Sequence, residues 1–386
     1  MRMARTAEVQ RGANGFEYYE YVLVYVDDIL MISAEAEALG KALMSEVKFK
    51  NDKVAPPDIY LGAKLEPMTL NGYDCWSMGS TEYVKAAVAN VEEKLAKEGK
   101  KLPSKAFTPM SNKHSYSPEL DSSDYLEGEE LTYFQELIGI LRWAIELGRV
   151  DIFHEVSILS QFQAAPREGH MEEALHIFAF LKRKPKLRLA FSPQNAILKD
   201  VEFNLETAEF LEQYRDAEEE IPEDAPEPRG NPMELTSYVD ASHAANKVNR
   251  RSHTGYLIFA QRAPIVWYSK LQKTVESSAF GAEFIAMKTM VEHNKALRYK
   301  LRMFGIPVAG PTRVLCDNES VVKNSSRFES VLNKKHNAIA YHVTRWSTAA
   351  KEIIIGWVKS QDNLADALTK RLSQGERDKL FGDWTY

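Results

Sequence analysis

The spacing of apolar residues changes along the chain, and the change predicts two kinds of architecture. After an apolar stretch near the N-terminus, the region before residue 200 has apolar residues three or four positions apart, which predicts helices. The clearest case is "STEYVKAAVANVEEKLAKEGKK", where Thr81 takes a capping position and Gly99 marks the stop. Its predicted buried stripe consists of Val84, Val88, Val91 and Leu95. Two later segments, "LTYFQELIGILRWAIELGRVDIFHEVSILSQF" and "HMEEALHIFAFLKRKPKLRLAF", are predicted to be largely helical as well.

After residue 232, short apolar runs separated by polar, glycine or proline positions replace the helical spacing. The segments "ELTSYVDASHAA", "SHTGYLIFAQ" and "APIVWYSKLQ" predict three successive strands, and "GAEFIAMKTMVEHNKALRYKLRMFG" predicts a helix closed by Gly305. A strand "TRVLCDN", helices from Asn318 and in "NKKHNAIAYHVTRWSTAAK", a strand "EIIIGWVKS" and a last helix from Asn363 follow. The order βββαβαβα predicts a mixed sheet covered by helices.

An acidic segment separates the two regions. Residues 202–227 hold eleven Asp and Glu against one Arg, so the rest of the chain is net basic although the whole chain carries −6. The segment ends in prolines and a glycine, which favour turns. We predict a helix that fades into a solvated linker, with a domain boundary near residues 215–232.

Composition narrows the class of protein. The length of 386 residues and 44% hydrophobic content predict two or three folded domains. The two cysteines, Cys75 and Cys316, lie far apart, which argues against a disulfide framework or a cysteine zinc site and favours a reducing compartment. No stretch approaches the length of about 20 apolar residues that a membrane span needs. The first residues, "MRMARTAEVQRGANG", lack the apolar core that a secretory signal needs. These features predict an intracellular protein with no membrane partner.

Two adjacent aspartates interrupt an apolar stretch near the N-terminus. In "YVLVYVDDILMIS", Asp27 and Asp28 lie between residues that predict a buried strand hairpin. Burying neighbouring carboxylates is costly unless a turn exposes them or a cation neutralises them. The pattern therefore predicts a hairpin tip that is exposed or binds a metal ion.

Four further carboxylates occupy strand ends and helix starts in the second region. They are Asp240 in the first strand, Glu283 in the first turn of the first helix, Asp317 at the end of the fourth strand and Asp366 near the start of the last helix. If they meet at one sheet edge, their repulsion favours hard cations, and oxygen-only ligation is what Mg²⁺ or Mn²⁺ prefers. Taken singly, the same residues could cap helices or lie on a solvated face.

The ordered motifs resemble Pol polyproteins of Ty1/copia-type retrotransposons. Six motifs resemble the ribonuclease H domain of that family: "YVDASHAANKVNRRSHTGYLIF", "IVWYSK", "SSAFGAEFIAMK", "LCDNESVV", "KKHNAIAYHVTR" and "NLADALTK". Upstream, "YVLVYVDDILMIS" resembles the YxDD motif of reverse transcriptase, and "IYLGAKL" resembles its primer-grip strand. The segments "YFQELIGILRWAIELGRVDI" and "APREGHMEEALHIFAFLK" resemble its thumb and connection.

The resemblance implies a domain order with mixed α/β and α+β folds. The expected parts are a reverse transcriptase palm remnant over residues 1–66, a helical thumb and connection over 67–200, an acidic linker over 201–232, and a ribonuclease H-like domain over 233–386. The last domain is expected to have a mixed five-stranded sheet with flanking helices. Location in a cytoplasmic virus-like particle or in the nucleus is implied without a choice between them.

The resemblance also implies an activity and its residues. Asp240, Glu283, Asp317 and Asp366 match the four carboxylates that hold two Mg²⁺ or Mn²⁺ ions, with RNA–DNA hybrid as the substrate and a full-length Pol chain as a further partner. Gly281 replaces the first glutamate of the family's EAEY motif, so we take Glu283 rather than Glu276 as the ligand. The product-release histidine of some family members is absent from "WVKSQDNLADALTK", where Lys359 or Asp362 could substitute for it.

The polymerase half departs from the family. Its metal site needs a third aspartate upstream of the YxDD pair, and before Asp27 the sequence offers only glutamates. We therefore expect Asp27 and Asp28 to form an incomplete metal site and the chain to lack independent DNA polymerase activity. The alternative to a ribonuclease H-type enzyme is a non-catalytic nucleic-acid-binding or interaction protein, a relic of such an element.

Overall fold

The N-terminal segment forms a small antiparallel sheet and a helix. The computed structural model describes residues 2–6, 9–12, 15–26, 28–48, 53–111, 116–198, 201–204, 206–330, 332, 335–382 and 384–386. The elements of this segment are β1 Arg2–Arg5, β2 Gln10–Arg11, β3 Glu17–Tyr18, β4 Tyr21–Tyr25, β5 Asp28–Ile32 and α1 Ala36–Glu46. Strand β4 lies between β1 and β5, and β4 and β5 form a hairpin around Val26, whose φ is +54°.

A second unit combines a four-stranded sheet with a helical layer. Its elements are β6 Ile59–Tyr60, β7 Ala63–Leu70, β8 Tyr73–Gly79, α2 Thr81–Lys97, α3 Gly128–Glu146, α4 Phe153–Leu159, α5 Glu168–Arg183 and β9 Arg188–Phe191. The sheet is antiparallel in the order β6-β7-β8-β9. The turn between β7 and β8 uses Asn71 and Gly72, both at positive φ, which suits a tight hairpin.

The apolar stripe of α2 is buried as the spacing predicts. Val84, Val88, Val91 and Leu95 lie in a core shared with α3, α4 and α5. Ser80 rather than Thr81 is the N-cap residue, and Gly99 has a φ of +69° just after the helix. The end of the segment predicted to be helical near residue 190 instead forms β9, because it pairs with the edge of β8.

The third unit is the mixed sheet with flanking helices. Its elements are β10 Glu202–Phe203, α6 Ala208–Gln213, β11 Leu235–Ser242, β12 His253–Ala260, β13 Ala263–Leu271, α7 Ala279–Met303, β14 Thr312–Cys316, α8 Glu319–Asn324, α9 Ala338–Ala349, β15 Ile353–Trp357 and α10 Gln374–Gly382. The strand order is β10-β15-β14-β11-β12-β13. Strand β14 is parallel to both β11 and β15, while the other pairs are antiparallel. This arrangement confirms the predicted mixed sheet and adds β10 as a short sixth strand.

Each face of the mixed sheet has its own apolar layer. Helices α7, α8 and α9 cover one face with residues such as Met287, Val321 and Tyr341. On the other face, Leu257 and Phe259 belong to an apolar cluster that includes residues near the C-terminus and residues of the second unit. The second and third units therefore share a buried apolar interface.

The acidic segment packs against the mixed-sheet unit. Phe210 of α6 is fully buried, and the guanidinium carbon of the fully buried Arg345 lies 4.6 Å from its ring centre. Glu219 pairs with Arg298 at 2.8 Å and with Arg302 at 2.7 Å. Part of the stretch predicted as a solvated linker is thus held by charge pairing and by one buried aromatic ring.

No helix among the described residues combines the length and the hydropathy needed to cross a membrane.

Candidate metal centre at one edge of the mixed sheet

Four separate segments bring their carboxylates to one edge of the mixed sheet. Asp240 lies near the end of β11, and Asp317 directly follows the parallel neighbour β14. Glu283 lies near the start of α7. The side chain of Ser278, the N-cap residue of that helix, accepts a hydrogen bond from the amide of Gly281. Asp366 lies in a 3₁₀ turn, Leu364–Leu368, and not in an α-helix as the sequence predicts, because the last α-helix begins only at Gln374.

The carboxylates lie close enough to share cations. Ligand atoms of Asp240, Asp317 and Asp366 lie within 4.8 Å of one another, and so do those of Glu283, Cys316 and Asp317. Asp317 belongs to both groups and is the least buried of the four acids. The predicted set therefore converges, although no prediction placed Cys316 beside it.

A glycine in β12 lets the turn that carries Asp366 lie against the sheet. Gly255 pairs with Asp240 in the strand register. A Cβ at this position would lie 2.5 Å from Cγ2 of Thr369 and 2.9 Å from Cβ of Leu368. Asn363 also anchors the turn, since its side chain donates to the carbonyl of Val239 at 3.0 Å. The close approach of backbone to sheet is thus what brings Asp366 to Asp240.

Burial and mutual repulsion raise the pKa values of three of the carboxyl groups. Burial, followed by the charges of Asp240 and Asp317, raises the pKa of Glu283 well above its usual range. Burial and the charge of Asp240 raise the pKa of Asp366 to about 7. Burial also raises the pKa of Asp240, although Lys370 opposes the change. Because these buried carboxylates repel one another, the site favours the binding of cations.

Three polar side chains that the sequence reasoning missed support the carboxylates. Ser360 donates a hydrogen bond to Oδ2 of Asp317 at 2.6 Å, and Thr369 donates to Oδ2 of Asp240. The ammonium nitrogen of Lys370 lies 2.7 Å from Oδ1 of Asp366. The four-residue spacing from Asp366 to Lys370 is the sequence signal that could have found this pair.

Glu276 lies close to Gly281 and not in the carboxylate groups described above. Its Oε2 atom lies 3.2 Å from Nε2 of His336. A Cβ at Gly281 would lie only 2.5 Å from this same oxygen, so the Glu276 carboxylate fills the space beside Gly281. The choice of Glu283 over Glu276 as ligand stays a prediction, and the geometry supports it.

Three histidines of the third unit make ordinary hydrogen bonds. His253 is buried against Ser269, His342 lies 2.8 Å from the hydroxyl of Tyr214, and His243 contacts the backbone carbonyl of Glu276. Burial lowers the pKa of His253 to about 3, so it stays neutral. Among the substitutes considered for a product-release histidine, Asp362 pairs with Lys379 at 2.9 Å.

The hairpin that resembles the YxDD motif is only partly described. Asp27 lies outside the described residues, while Asp28 is exposed and pairs with Tyr25 across the hairpin. Among the residues that the structure describes, Asp28 belongs to neither of the two groups close enough to share an ion. The incomplete polymerase site stays a prediction.

The basic run at the end of α5 is mostly engaged within the molecule. Lys182 pairs with Glu92 at 2.6 Å and Lys184 with Asp378 at 2.9 Å. Arg183 lies over the ring of Phe107, and Arg188 pairs with Glu66. These contacts engage four basic side chains of the run within the molecule, which makes them less available for phosphate binding.

The residues present fit a divalent cation. The Oε2 atom of Glu283 is buried and has no hydrogen-bond partner among the described residues, although it faces a cluster of acids. Burial raises the pKa of the Cys316 thiol well above its usual value, which disfavours the thiolate form. An oxygen-only donor set of this kind suits Mg²⁺ or Mn²⁺ rather than zinc.

Comparisons with known proteins identify similar sequences. No protein-family model matches the chain. Retrovirus-related Pol polyprotein from transposon RE1 of Arabidopsis thaliana is 27% identical over 357 residues, which is 92% of this chain and 21% of that protein. The corresponding protein from transposon RE2 is 25% identical with the same coverage. Putative transposon Ty5-1 protein of Saccharomyces cerevisiae is 26% identical over 70% of this chain and 73% of its own length.

The chain thus spans about a fifth of the length of the first two relatives, and the resemblance to retrotransposon Pol polyproteins is confirmed. Two solved structures are also similar. The N-terminal RNase H domain of rv2228c from Mycobacterium tuberculosis is 15% identical, with a TM-score of 0.28, over 39% of this chain and 98% of its own. LC11-RNase H1, solved in complex with RNA/DNA hybrid, is 16% identical, with a TM-score of 0.29, over 35% of this chain and 94% of its own.

Proposed function

We propose, from the premise that the chain is homologous to retrotransposon Pol polyproteins over nine-tenths of its length, that it is a metal-dependent ribonuclease H-type endonuclease. Its substrate would be the RNA strand of an RNA–DNA hybrid. The observation that carries the proposal is the convergence of Asp240, Glu283, Asp317 and Asp366 from four segments, with one glutamate oxygen buried and unpartnered.

The four carboxylates would hold two Mg²⁺ or Mn²⁺ ions. When bound, such ions activate a water molecule and stabilise the leaving oxygen of a phosphodiester. The chain's own residues prepare the site: Ser360 fixes one oxygen of Asp317, and Thr369 fixes one oxygen of Asp240. Asp240 and Glu283 form a buried floor, while the more exposed Asp317 marks the side open to a substrate.

The test is cleavage of a labelled RNA–DNA hybrid by the 386-residue chain with Mg²⁺ or Mn²⁺. We expect RNA cleavage by the wild type, none after chelation, and a loss of about a hundredfold or more for Asp317→Asn. Asp28→Asn is the matched control, because it removes an aspartate outside the cluster and should leave cleavage unchanged. Hybrid binding by wild type and Asp317→Asn without cleavage by either would instead support a non-catalytic binding protein.

We infer also that this chain does not synthesise DNA alone. Positioning and charge neutralisation supply most of the catalysis in phosphoryl transfer. Asp28 is exposed and, among the described residues, belongs to neither of the groups of three or more side chains that could hold an ion. Primer extension by the purified chain should be blank, and robust synthesis would overturn this inference. A full-length Pol chain as partner, and the compartment in which the protein works, stay predictions.

A further inference from the structure

The side chain of Lys370 points into the carboxylate cluster. Its Nζ lies 2.7 Å from Oδ1 of Asp366 and 3.5 Å from Oδ2 of Asp240. About a third of the side chain, 37%, is exposed, whereas the Asp240 side chain is almost fully buried. The ammonium group therefore contacts two acids from different segments of the chain.

We propose that Lys370 is an internal counter-ion that competes with a divalent cation for Asp240 and Asp366. In the metal-free protein the single charge of the ammonium offsets part of the negative charge of the two acids, and the cation binds only when the ammonium leaves. This inference rests on the proposed function, because it assigns the same carboxylates to metal binding.

The charges of the groups predict that Lys370 and a divalent ion compete for Asp240 and Asp366. A divalent ion bound to Asp240 and Asp366 would face the ammonium across a few ångströms in a poorly solvated site, where like charges repel strongly. Oδ1 of Asp366 already accepts a charge-assisted hydrogen bond from Lys370, and Oδ2 of Asp240 accepts one from Thr369. A cation that uses these oxygens must take over the role of the lysine.

A neighbouring cavity leaves room for the Lys370 side chain to move away from the acids. Lys370 also lines a cavity of about 390 Å³, together with Ser242, His253 and Arg371. Its stem is flexible, and a lysine ammonium is a compact charge that hydrates readily. Displacement therefore requires side-chain rotation and no movement of the sheet.

Calorimetric titration of the full chain with Mg²⁺, together with thermal unfolding in chelator, tests the proposal. Lys370→Met removes the ammonium and keeps the apolar stem. We expect it to bind Mg²⁺ about tenfold more tightly than wild type, since tenfold corresponds to about 1.4 kcal/mol, the range of one charge-assisted hydrogen bond. In chelator the variant should unfold at a lower temperature than wild type, because the acids lose their counter-ion.

Lys288→Met is the matched control. Lys288 forms a comparable four-residue-spaced pair with Glu292 on α7, with 29% of its side chain exposed. It should change neither measurement. Unchanged or weaker Mg²⁺ binding by Lys370→Met would overturn the counter-ion role while leaving hybrid cleavage by the wild type intact. A wild-type chain that neither binds Mg²⁺ nor cuts RNA would overturn both this inference and the proposed function.

Discussion

Arg377 of α10 and Glu155 of α4 form an ion pair across the interface between the second and third units. The guanidinium Nη1 of Arg377 lies 3.1 Å from Oε1 of Glu155, and the two side chains are only 5% and 3% exposed. Arg377 also donates to the backbone carbonyl of Asp151. The pair therefore joins two units of the fold by a charge contact that water hardly reaches.

Replacing one partner should cost far more than replacing an exposed pair. We expect Arg377→Met to lower the free energy of unfolding by about 3 kcal/mol, because Glu155 is left buried without its cation. Lys379 lies on the same helix as Arg377 and forms a more exposed pair with Asp362. Lys379→Met should therefore cost under about 1 kcal/mol. Denaturant unfolding measures both. A double variant that combines Arg377→Met with Glu155→Gln should recover part of the loss. Equal losses in Arg377→Met and Lys379→Met would contradict the importance of the buried pair.

The contact between Gly281 and Glu276 predicts that the cost of a substitution at Gly281 differs between two backgrounds. Gly281→Ala should destabilise the wild type by about 1 kcal/mol, because overpacking against the Glu276 carboxylate and the Asn337 amide outweighs the better helix propensity of alanine. In a Glu276→Ala background the same change should cost less, since only the Asn337 amide then lies close to the added methyl group. A thermodynamic cycle from thermal unfolding compares the four proteins. Additive effects would show that the two positions do not interact.

Arg345 should hold the acidic segment in place. Its guanidinium donates to Tyr214 and Gln213 of that segment and to the backbone carbonyls of Asn324 and Arg327. Arg345→Lys should cost about 3 kcal/mol, because a lysine cannot reach this planar set of acceptors. It should also speed hydrogen exchange in α6. Arg215→Lys, at an exposed arginine nearby, is the control and should do neither. Unchanged exchange in Arg345→Lys would mean that other contacts dock the segment.

The raised pKa of Asp366 predicts a pH-dependent difference between wild type and Asp366→Asn in chelator. The folded carboxyl ionises at about 7, whereas the unfolded one ionises near its usual value of about 4. Between these values the folded state holds a proton that the unfolded state has lost, so wild-type stability falls relative to the variant as pH rises. The raised pKa of Lys370 does not alter this window, because that group stays charged throughout it.

Melting temperatures measured from pH 4 to pH 8 test this relation. The advantage of Asp366→Asn should grow up to about pH 7 and then level off. Saturating Mg²⁺ should remove it, since the cation stabilises the ionised wild type. A constant difference across the range, or one that shrinks as pH rises, would contradict the assigned pKa.

Local pattern was enough to predict the framework of the site. Residues 235 to 357 follow the predicted order of strands and helices. The sequence placed Asp240 in the first strand and Asp317 at the end of the fourth, and the structure shows that these strands are neighbours. The 3₁₀ turn at Asp366 was not predictable from periodicity, because the close approach at Gly255 that shapes it joins distant segments. The same holds for Ser360, whose contact with Asp317 spans 43 positions.

Charge patterns proved the least informative part of the sequence. The acidic run and the basic run at the end of α5 both look solvated when read alone, yet Glu219 and Lys184 pair with residues far along the chain. Propensity and hydropathy windows see only near neighbours, so these pairings become visible only in the folded structure.

Strand β9 is completed by the other end of the chain. The amide of Arg188 donates to the carbonyl of Tyr386 at 2.6 Å, and the amide of Tyr386 donates back at 2.9 Å. During synthesis on the ribosome, β9 must therefore wait with an unpaired edge while the whole of the mixed-sheet unit is made. Such long-range closure is slow, and an open edge is prone to pair with other chains. The edge of β9 is therefore open to misassembly until Tyr386 has been made.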